Sequence, residues 1–289
     1  VIVSIASGKG GTGKTTVSAS LASVWKKPVL AVDLDVEEPN LHLFLNPEIS
    51  HQEKIYLEIP VVDESKCTLC RMCSDLCQFQ AIKVMGDTLL TFTEMCHGCG
   101  GCLAICPEGA LSPGQRELGI LSQGSSQGKI SFLMGSLRVG EAMSPPLMTI
   151  VKKRMMKILE KQKADAIIDA PPGVSCPAVC AVMDSDLIIL VTEPTPFGFH
   201  DFRLAWESFS SMGKPMAVVI NRAGLGDNSV YQFCDEKKLP ILASIPYDRN
   251  IAQAYSKGQV VAGLSPELEH KFSDLARALQ GYDREAPYA

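Results

Sequence analysis

The chain has 289 residues, 46% hydrophobic content, a formal net charge of −5 and a pI near 5.6. That length buries a full core and leaves room for one large domain plus an insertion, whereas the acidic balance argues against coating nucleic acid, which needs clustered Lys and Arg. No apolar run approaches the roughly 20 residues of a membrane span, no signal-peptide pattern precedes the first apolar stretch, and eight of the eleven cysteines fall at metal-ligand spacing; a soluble protein of the reducing cytoplasm is expected.

Residues 1–6 read as a buried strand that runs straight into Ser7-Gly8-Lys9-Gly10-Gly11-Thr12-Gly13-Lys14-Thr15-Thr16. This is G-x-x-x-x-G-K-T between a strand and a helix. Glycines let the backbone curl so that successive N–H groups face phosphates, and the following helix aims its positive end at them. Lys14 is placed to reach the terminal phosphates and Thr15 to ligate Mg2+; Gly8, Gly10, Gly11, Thr12, Gly13 and Thr16 complete the expected cradle. With Lys9 directly after the first glycine, the run resembles the deviant Walker A of the MinD, ParA, Mrp and nitrogenase iron-protein class. The resemblance implies that Lys9 crosses an ATP-sandwich dimer interface to touch the partner's nucleotide.

Residues 16–25 continue as a helix with Val17, Leu21 and Val24 on one face, and residues 29–32 form a second buried strand ending at Asp33-Leu34-Asp35. Carboxylates at the carboxyl end of a parallel strand point into the ligand crevice. The resemblance implies that Asp33 lies near Mg2+ and that Asp35 positions the attacking water, with Asn40 in the same switch; a helix-capping turn is the plainer alternative. Residues 41–60 leave the helical pattern and mark entry to an insertion.

Two runs follow, Cys67-Thr68-Leu69-Cys70-Arg71-Met72-Cys73-Ser74-Asp75-Leu76-Cys77 and Cys96-His97-Gly98-Cys99-Gly100-Gly101-Cys102-Leu103-Ala104-Ile105-Cys106-Pro107, each spelling C-x2-C-x2-C-x3-C. Both resemble the bacterial two-cluster ferredoxin run, in which the fourth cysteine of each motif crosses to the other cluster. The resemblance implies Cys67, Cys70, Cys73 and Cys106 on one [4Fe-4S] cluster and Cys77, Cys96, Cys99 and Cys102 on the other. Gln78 stands where the first motif should have proline. Zinc is the competing metal, but structural zinc closes a single tetrahedron and rarely uses this spacing. His97 reads as a neighbour of the ligands, and residues 81–90 read as a hairpin through Gly86-Asp87.

Beyond Pro113-Gly114, residues 117–123 and 129–137 are strand-like around a Gly/Ser/Gln turn, and 147–162 form a helix with buried Met and Leu and a solvated Lys152-Lys153-Arg154 face. Apolar residues ending in Asp169-Ala170-Pro171-Pro172-Gly173 make a Walker B strand. Asp169 is expected to hold Mg2+ through water, and the resemblance to the class's switch II gives Gly173 an N–H that senses the terminal phosphate. Cys176 and Cys180 share a helix face; core packing is the leading reading, a further interfacial cluster the alternative, and Cys234 reads as packing. Residues 187–192 form another strand, ended at the crevice by Glu193-Pro194, and Asp201 and Arg203 begin the next helix, as dimer contacts or plain surface charge. The strand-end Asn221-Arg222 resembles the class's adenine-reading N-R, and Pro246-Tyr247-Asp248 its I-P-x-D segment beside the base. The last helix, over 267–279, puts Leu268, Phe272, Leu275 and Leu279 on one stripe and carries acidic residues; docking on the sheet is favoured over membrane attachment, with a polar tail after it.

The expected architecture is a doubly wound, mainly parallel α/β sheet of P-loop NTPase type over residues 1–58 and 114–289, with an α+β bacterial-ferredoxin-like domain inserted at 59–113. The expected function is a slow, partner-dependent ATPase binding ATP/ADP, Mg2+ and two [4Fe-4S] clusters. In it, nucleotide-driven dimer changes gate electron transfer. Alternatives are an iron-sulfur cluster carrier and a partitioning or scaffold ATPase with structural clusters. Expected partners are a second copy or a paralogue, and a redox or iron-sulfur protein, rather than nucleic acid or a membrane.

Overall fold

The computed structural model describes residues 1–282; the polar tail expected at 283–289 lies outside them. In chain order the elements are β1 (Ile2–Ala6), α1 (Lys14–Val24), β2 (Val29–Asp33), α2 (Leu41–Leu45), β3 (Glu48–Val62), α3 (Met72–Leu76), β4 (Ile82–Met85), β5 (Thr88–Thr91) and α4 (Gly101–Ile105). There follow β6 (Leu111–Ser126), β7 (Ile130–Leu137), α5 (Ser144–Gln162), β8 (Asp165–Asp169), α6 (Cys176–Val182), β9 (Leu187–Thr192), α7 (Pro196–Ser210), β10 (Met216–Ala223), α8 (Ser229–Glu236), β11 (Ile241–Pro246), α9 (Arg249–Ser256) and α10 (Pro266–Gln280).

Nine strands form one sheet in the order β11-β10-β9-β1-β8-β2-β7-β6-β3, and the neighbours from β11 to β7 pair in parallel. Strands β1, β2, β8 and β9 are buried from end to end, as apolar runs must be when helices cover both faces of a parallel sheet. From β1 the chain moves past β8 to β2, and from β8 it crosses back over β1 to β9. Such a reversal opens a crevice at the carboxyl ends of the strands, where Ala6, Asp33 and Asp169 end their strands. On one face, α1 and α10 pack Val17, Leu21, Phe272, Leu275 and Leu279 against Val3, Ile5, Ile167 and Ile189.

The chain divides into two compact units: residues 1–52, 122–136 and 148–289, and residues 53–121 with 137–147. The second unit exceeds the expected 59–113 because β3 and β6 run unbroken for 15 and 16 residues across its limits. Within it, β4 and β5 pair antiparallel. The stretch 41–60, expected to leave the helical pattern, opens with the short helix α2 and then holds most of β3. The first half of β3 is exposed at nearly every position, so no alternation marked it as a strand.

Three further expectations change. Lys152 is buried and donates to the Cys180 carbonyl at 2.6 Å while pairing with Asp184 at 2.7 Å, so it leaves the solvated face expected of the cluster, on which Lys153 remains exposed. Cys176 is exposed at the start of α6, not core. Asp201 and Arg203 lie inside α7, which begins at Pro196. Cys234 is buried, as packing requires. Among the described residues no helix is long and apolar enough to cross a membrane.

Phe272 is about 1% exposed in the α10 core face, so Phe272→Ala is expected to cost about 3–5 kcal/mol in urea unfolding, whereas Arg277→Ala, which removes an exposed ion pair with Asp274, is expected to cost under about 1 kcal/mol.

Candidate functional site

The loop between β1 and α1 is shaped by its neighbours. Gly13 takes φ +97° to turn the chain into α1, and a Cβ there would lie 2.3 Å from Asn221 Nδ2. Any other residue there is strained in backbone and blocked in space. At Gly8 a Cβ would meet the Asp201 carbonyl oxygen at 1.9 Å, because α7 presses on the loop. Asn221 Nδ2 donates to the Thr12 carbonyl at 2.8 Å, and Arg222 Nη2 donates to that of Gly11 at 3.2 Å. The end of β10 therefore braces the loop from outside.

At the start of α1, Lys14 is buried, and burial lowers its pKa against the opposing pull of Asp169 and Asp35. Thr15 Oγ1 donates to Asp169 Oδ2 at 2.7 Å and Ser18 Oγ to Asp169 Oδ1 at 2.9 Å. Asp33 pairs in register with Asp169 across β2 and β8. It accepts from the Asp35 amide at 3.1 Å and the Leu41 amide at 2.9 Å, pinning the loop after β2. Burial pushes Asp33 well above the usual carboxylate range, with Asp169 adding to the push. Asp169 is also raised by burial, against the bonds from Thr15 and Ser18 and the charge of Lys14. Asp35 is pushed up to about 6, first by burial and then by Asp169. Three neighbouring carboxylates, two of them within the influence of Lys14, form a site in which a cation, or protons in its stead, lowers the energy.

These residues border a cavity of about 340 Å³. Gly10, Gly11, Gly13, Lys14, Thr15 and Thr16 line one side, Asp35 and Asn40 a second, and Asn221, Arg222, Pro246 and Asp248 a third. Asp248 also caps α9, accepting from the Asn250 amide at 2.8 Å. Tyr247, within the Pro246-Tyr247-Asp248 segment, and Tyr255 line the cavity too; Tyr255 carries no local motif, and only the turn of α9 brings it there. Gly8, Lys9, Thr12, Asp33, Asp169 and Gly173 are not among the lining residues. Gly173 donates its amide to the Ser7 carbonyl at 3.0 Å, and the Thr12 hydroxyl oxygen is buried without a hydrogen-bond partner. Lys9 turns to Glu193, at 2.8 Å. Glu193 carried the same sequence signal as Asp33 and Asp169, a carboxylate ending an apolar strand.

In the second unit, one cavity is lined by Cys67, Cys70, Cys73 and Cys106, and another, of about 210 Å³, by Cys77, Cys96, Cys99 and Cys102 together with Cys73. The two motifs repeat a backbone pattern: Leu69 and Gly98, then Arg71 and Gly100, all take positive φ. The fourth thiol of each accepts a backbone N–H at 3.3 Å, Cys77 from Ala81 and Cys106 from Ala110. Burial raises the Cys73 pKa, and Cys106 and Cys67 add to it; burial also raises that of Cys102, with Cys96 and Cys99 adding. His97 stacks on Phe79 at 3.4 Å. No group of three or more His, Cys, Asp or Glu side chains among the described residues is gathered to hold a single metal ion.

Because Asp35 is raised, the folded state holds more protons than the unfolded one between about pH 4 and 6, so stability falls as pH rises through that window and levels above it. Asp35→Asn is therefore expected to stabilise the nucleotide-free protein by about 1–2 kcal/mol at pH 7.5, with the gain vanishing near pH 4 when melting is followed across pH.

Residues 3–261 match the family described as the CobQ/CobB/MinD/ParA nucleotide binding domain. An uncharacterized protein of Methanocaldococcus jannaschii is 32% identical over 284 residues, 97% of this chain and 96% of its own. The septum site-determining protein MinD of Helicobacter pylori is 23% identical over 305 residues, 99% of this chain and 92% of its own. In structure the chain is similar to Pyrococcus horikoshii MinD complexed with Mg-ADP, with a TM-score of 0.59, 23% identity and coverage of 97% of this chain and 96% of that one. Aquifex aeolicus MinD also gives 0.59, at 17% identity with 98% and 97% covered. With the sheet order, the glycine-rich loop and the paired strand-end aspartates, these matches mean that the chain belongs to the CobQ/CobB/MinD/ParA nucleotide-binding family.

Proposed function

We propose that this family member hydrolyses Mg-ATP between two copies of the chain and uses the cycle to gate electron transfer through two [4Fe-4S] clusters held by its second unit. The observation that carries the cluster half is the gathering of eight cysteines around two cavities, each of which takes in the fourth cysteine of the other motif, with Cys73 bordering both. Burial, with the neighbouring thiols adding to it, raises Cys73 and Cys102, and bound iron would offset this by taking up the thiolate charge. Thiolates of such a cluster each bind a different iron, so they surround a volume and do not converge on a point. When bound, the clusters supply one-electron redox chemistry. Backbone N–H groups at Cys77 and Cys106 hold the thiolates in place, and the apolar wall of Ile59, Leu76 and Phe79 limits water around the second set.

For the nucleotide half, the loop amides and Lys14 receive the phosphates, with Thr15 and Asp169 as the holders of Mg2+, a cation present in the Mg-ADP complex of the Pyrococcus MinD. Asp33 lies behind them, its oxygens on backbone amides, and supports the metal site by fixing the loop of Asp35. Asp35 orients the attacking water, Asn221 reads the adenine, and Pro246 and Asp248 flank it. Lys9 acts on the nucleotide of the partner copy. Delivery of clusters to another protein is the second reading, favoured by the exposure of Cys70 and Cys99.

After anaerobic reconstitution, Cys70→Ser and Cys99→Ser are each expected to lose roughly half of the bound iron, one cluster's worth; full iron in both variants would remove the cluster assignment. Lys14→Ala is expected to slow phosphate release on the order of 100-fold with iron content unchanged, and hydrolysis at the unmodified rate would remove the nucleotide assignment.

A further inference from the structure

The ammonium of Lys9 does not face the cavity beside its own loop. It pairs with Glu193 Oε1 at 2.8 Å, and Arg222 Nη1 holds the other oxygen of that carboxylate at 2.6 Å. Thr195 Oγ1 adds a third bond to Oε1 at 3.2 Å. Glu193 directly follows β9, and α7 starts so close that a Cβ on Gly198 would lie 2.3 Å from the Glu193 carbonyl oxygen. The carboxylate is buried and fixed, whereas Lys9 and Arg222 are partly exposed, 28% and 45% by side chain. Ser7 Oγ donates to the Lys9 carbonyl at 2.6 Å, which fixes the backbone from which Lys9 reaches.

We propose that Glu193 is a latch that holds Lys9 within its own subunit, and that release of this ion pair is the step that frees Lys9 to engage a second copy of the chain. The inference rests on the reading of Lys9 as a residue that acts on the partner's nucleotide. Two features make the pair releasable. When Lys9 leaves, Arg222 and Thr195 still satisfy Glu193, so no buried charge is stranded, which is the usual penalty for breaking such a pair. Arg222 is also shared: it holds Glu193, donates to the Gly11 carbonyl and lines the nucleotide cavity. A nucleotide entering that cavity meets Arg222 directly and so acts on the latch through it.

Protonation does not open it. Burial pulls the Glu193 carboxyl upward, but Lys9 and Arg222 prevail and keep it below its ordinary range, so Glu193 keeps its charge throughout neutral pH. The release must come from competition for Lys9 or from movement of Arg222.

Glu193→Gln keeps the shape of the side chain and its reach to Thr195 but removes the charge that holds Lys9. With Mg-ATP, sedimentation velocity on the full chain is expected to show half-dimerisation at a protein concentration about 5-fold or more below that of the unmodified chain, and no gain in the Lys9→Ala, Glu193→Gln double variant. Glu193→Asp serves if the glutamine variant fails to fold: Arg222 is exposed enough to follow the shortened carboxylate, while Lys9 is fixed at its backbone, so the same gain is expected. If Lys9→Ala alone dimerises as well as the unmodified chain, the reading of Lys9 across the interface fails. If Lys9→Ala loses the dimer but neither Glu193 variant gains, the latch is overturned while that reading stands.

Discussion

Asp33 and Asp169 stand in register on adjacent parallel strands, both out of reach of solvent. Two buried carboxylates side by side are unstable unless protons, hydrogen bonds or cations compensate them, and much of the surrounding structure does this. Thr15 and Ser18 bond both oxygens of Asp169, which ties the first turn of α1 to β8. The amides of Asp35 and Leu41 bond Asp33, which fixes the loop after β2. Lys14 supplies the positive charge close by. The glycine-rich loop with the first turn of α1, the loop that carries Asp35 and the end of β8 are thus three answers to one electrostatic demand.

Glu193 extends this arrangement to the next strand. It directly follows a buried strand, but its charge is compensated by Lys9 and Arg222, which belong to the glycine-rich loop and the end of β10 respectively. The carboxylates of β2 and β8 are compensated by Thr15, Ser18 and the amides of the loop after β2, whereas Glu193 holds a lysine that points away from the cavity. Strand order decides this division, because β1 lies between β8 and β9.

Much of the nucleotide site was legible in the sequence because its parts are local. The glycine spacing of the loop, the apolar runs ending in Asp33 and Asp169, and the Asn221-Arg222 pair each fall within a few residues of a strand end. What escaped depends on partners distant in the chain. Lys152 is buried because Asp184 and the Cys180 carbonyl meet it, and Lys9 has its partner 184 residues away. Strand β3 lacked a period-2 signal because its first half exposes both faces. In the second unit the cysteine spacing was plain, whereas the paired left-handed residues before each third cysteine were visible only as Gly98 and Gly100, since Leu69 and Arg71 fill the same positions in the first motif.

The two units share more than a linker. Strands β3, β6 and β7 and helix α5 each begin in one and end in the other, and α5 leads within a few residues to β8 and Asp169. Coupling of a nucleotide to the cysteines is defined by an energetic difference between states. The direct measurement is the midpoint potential of the reconstituted chain, titrated anaerobically with and without Mg-ATP. A nucleotide-gated electron carrier predicts a shift of at least one cluster on the order of 60 mV, a tenfold change for one electron; identical potentials in both states would contradict it.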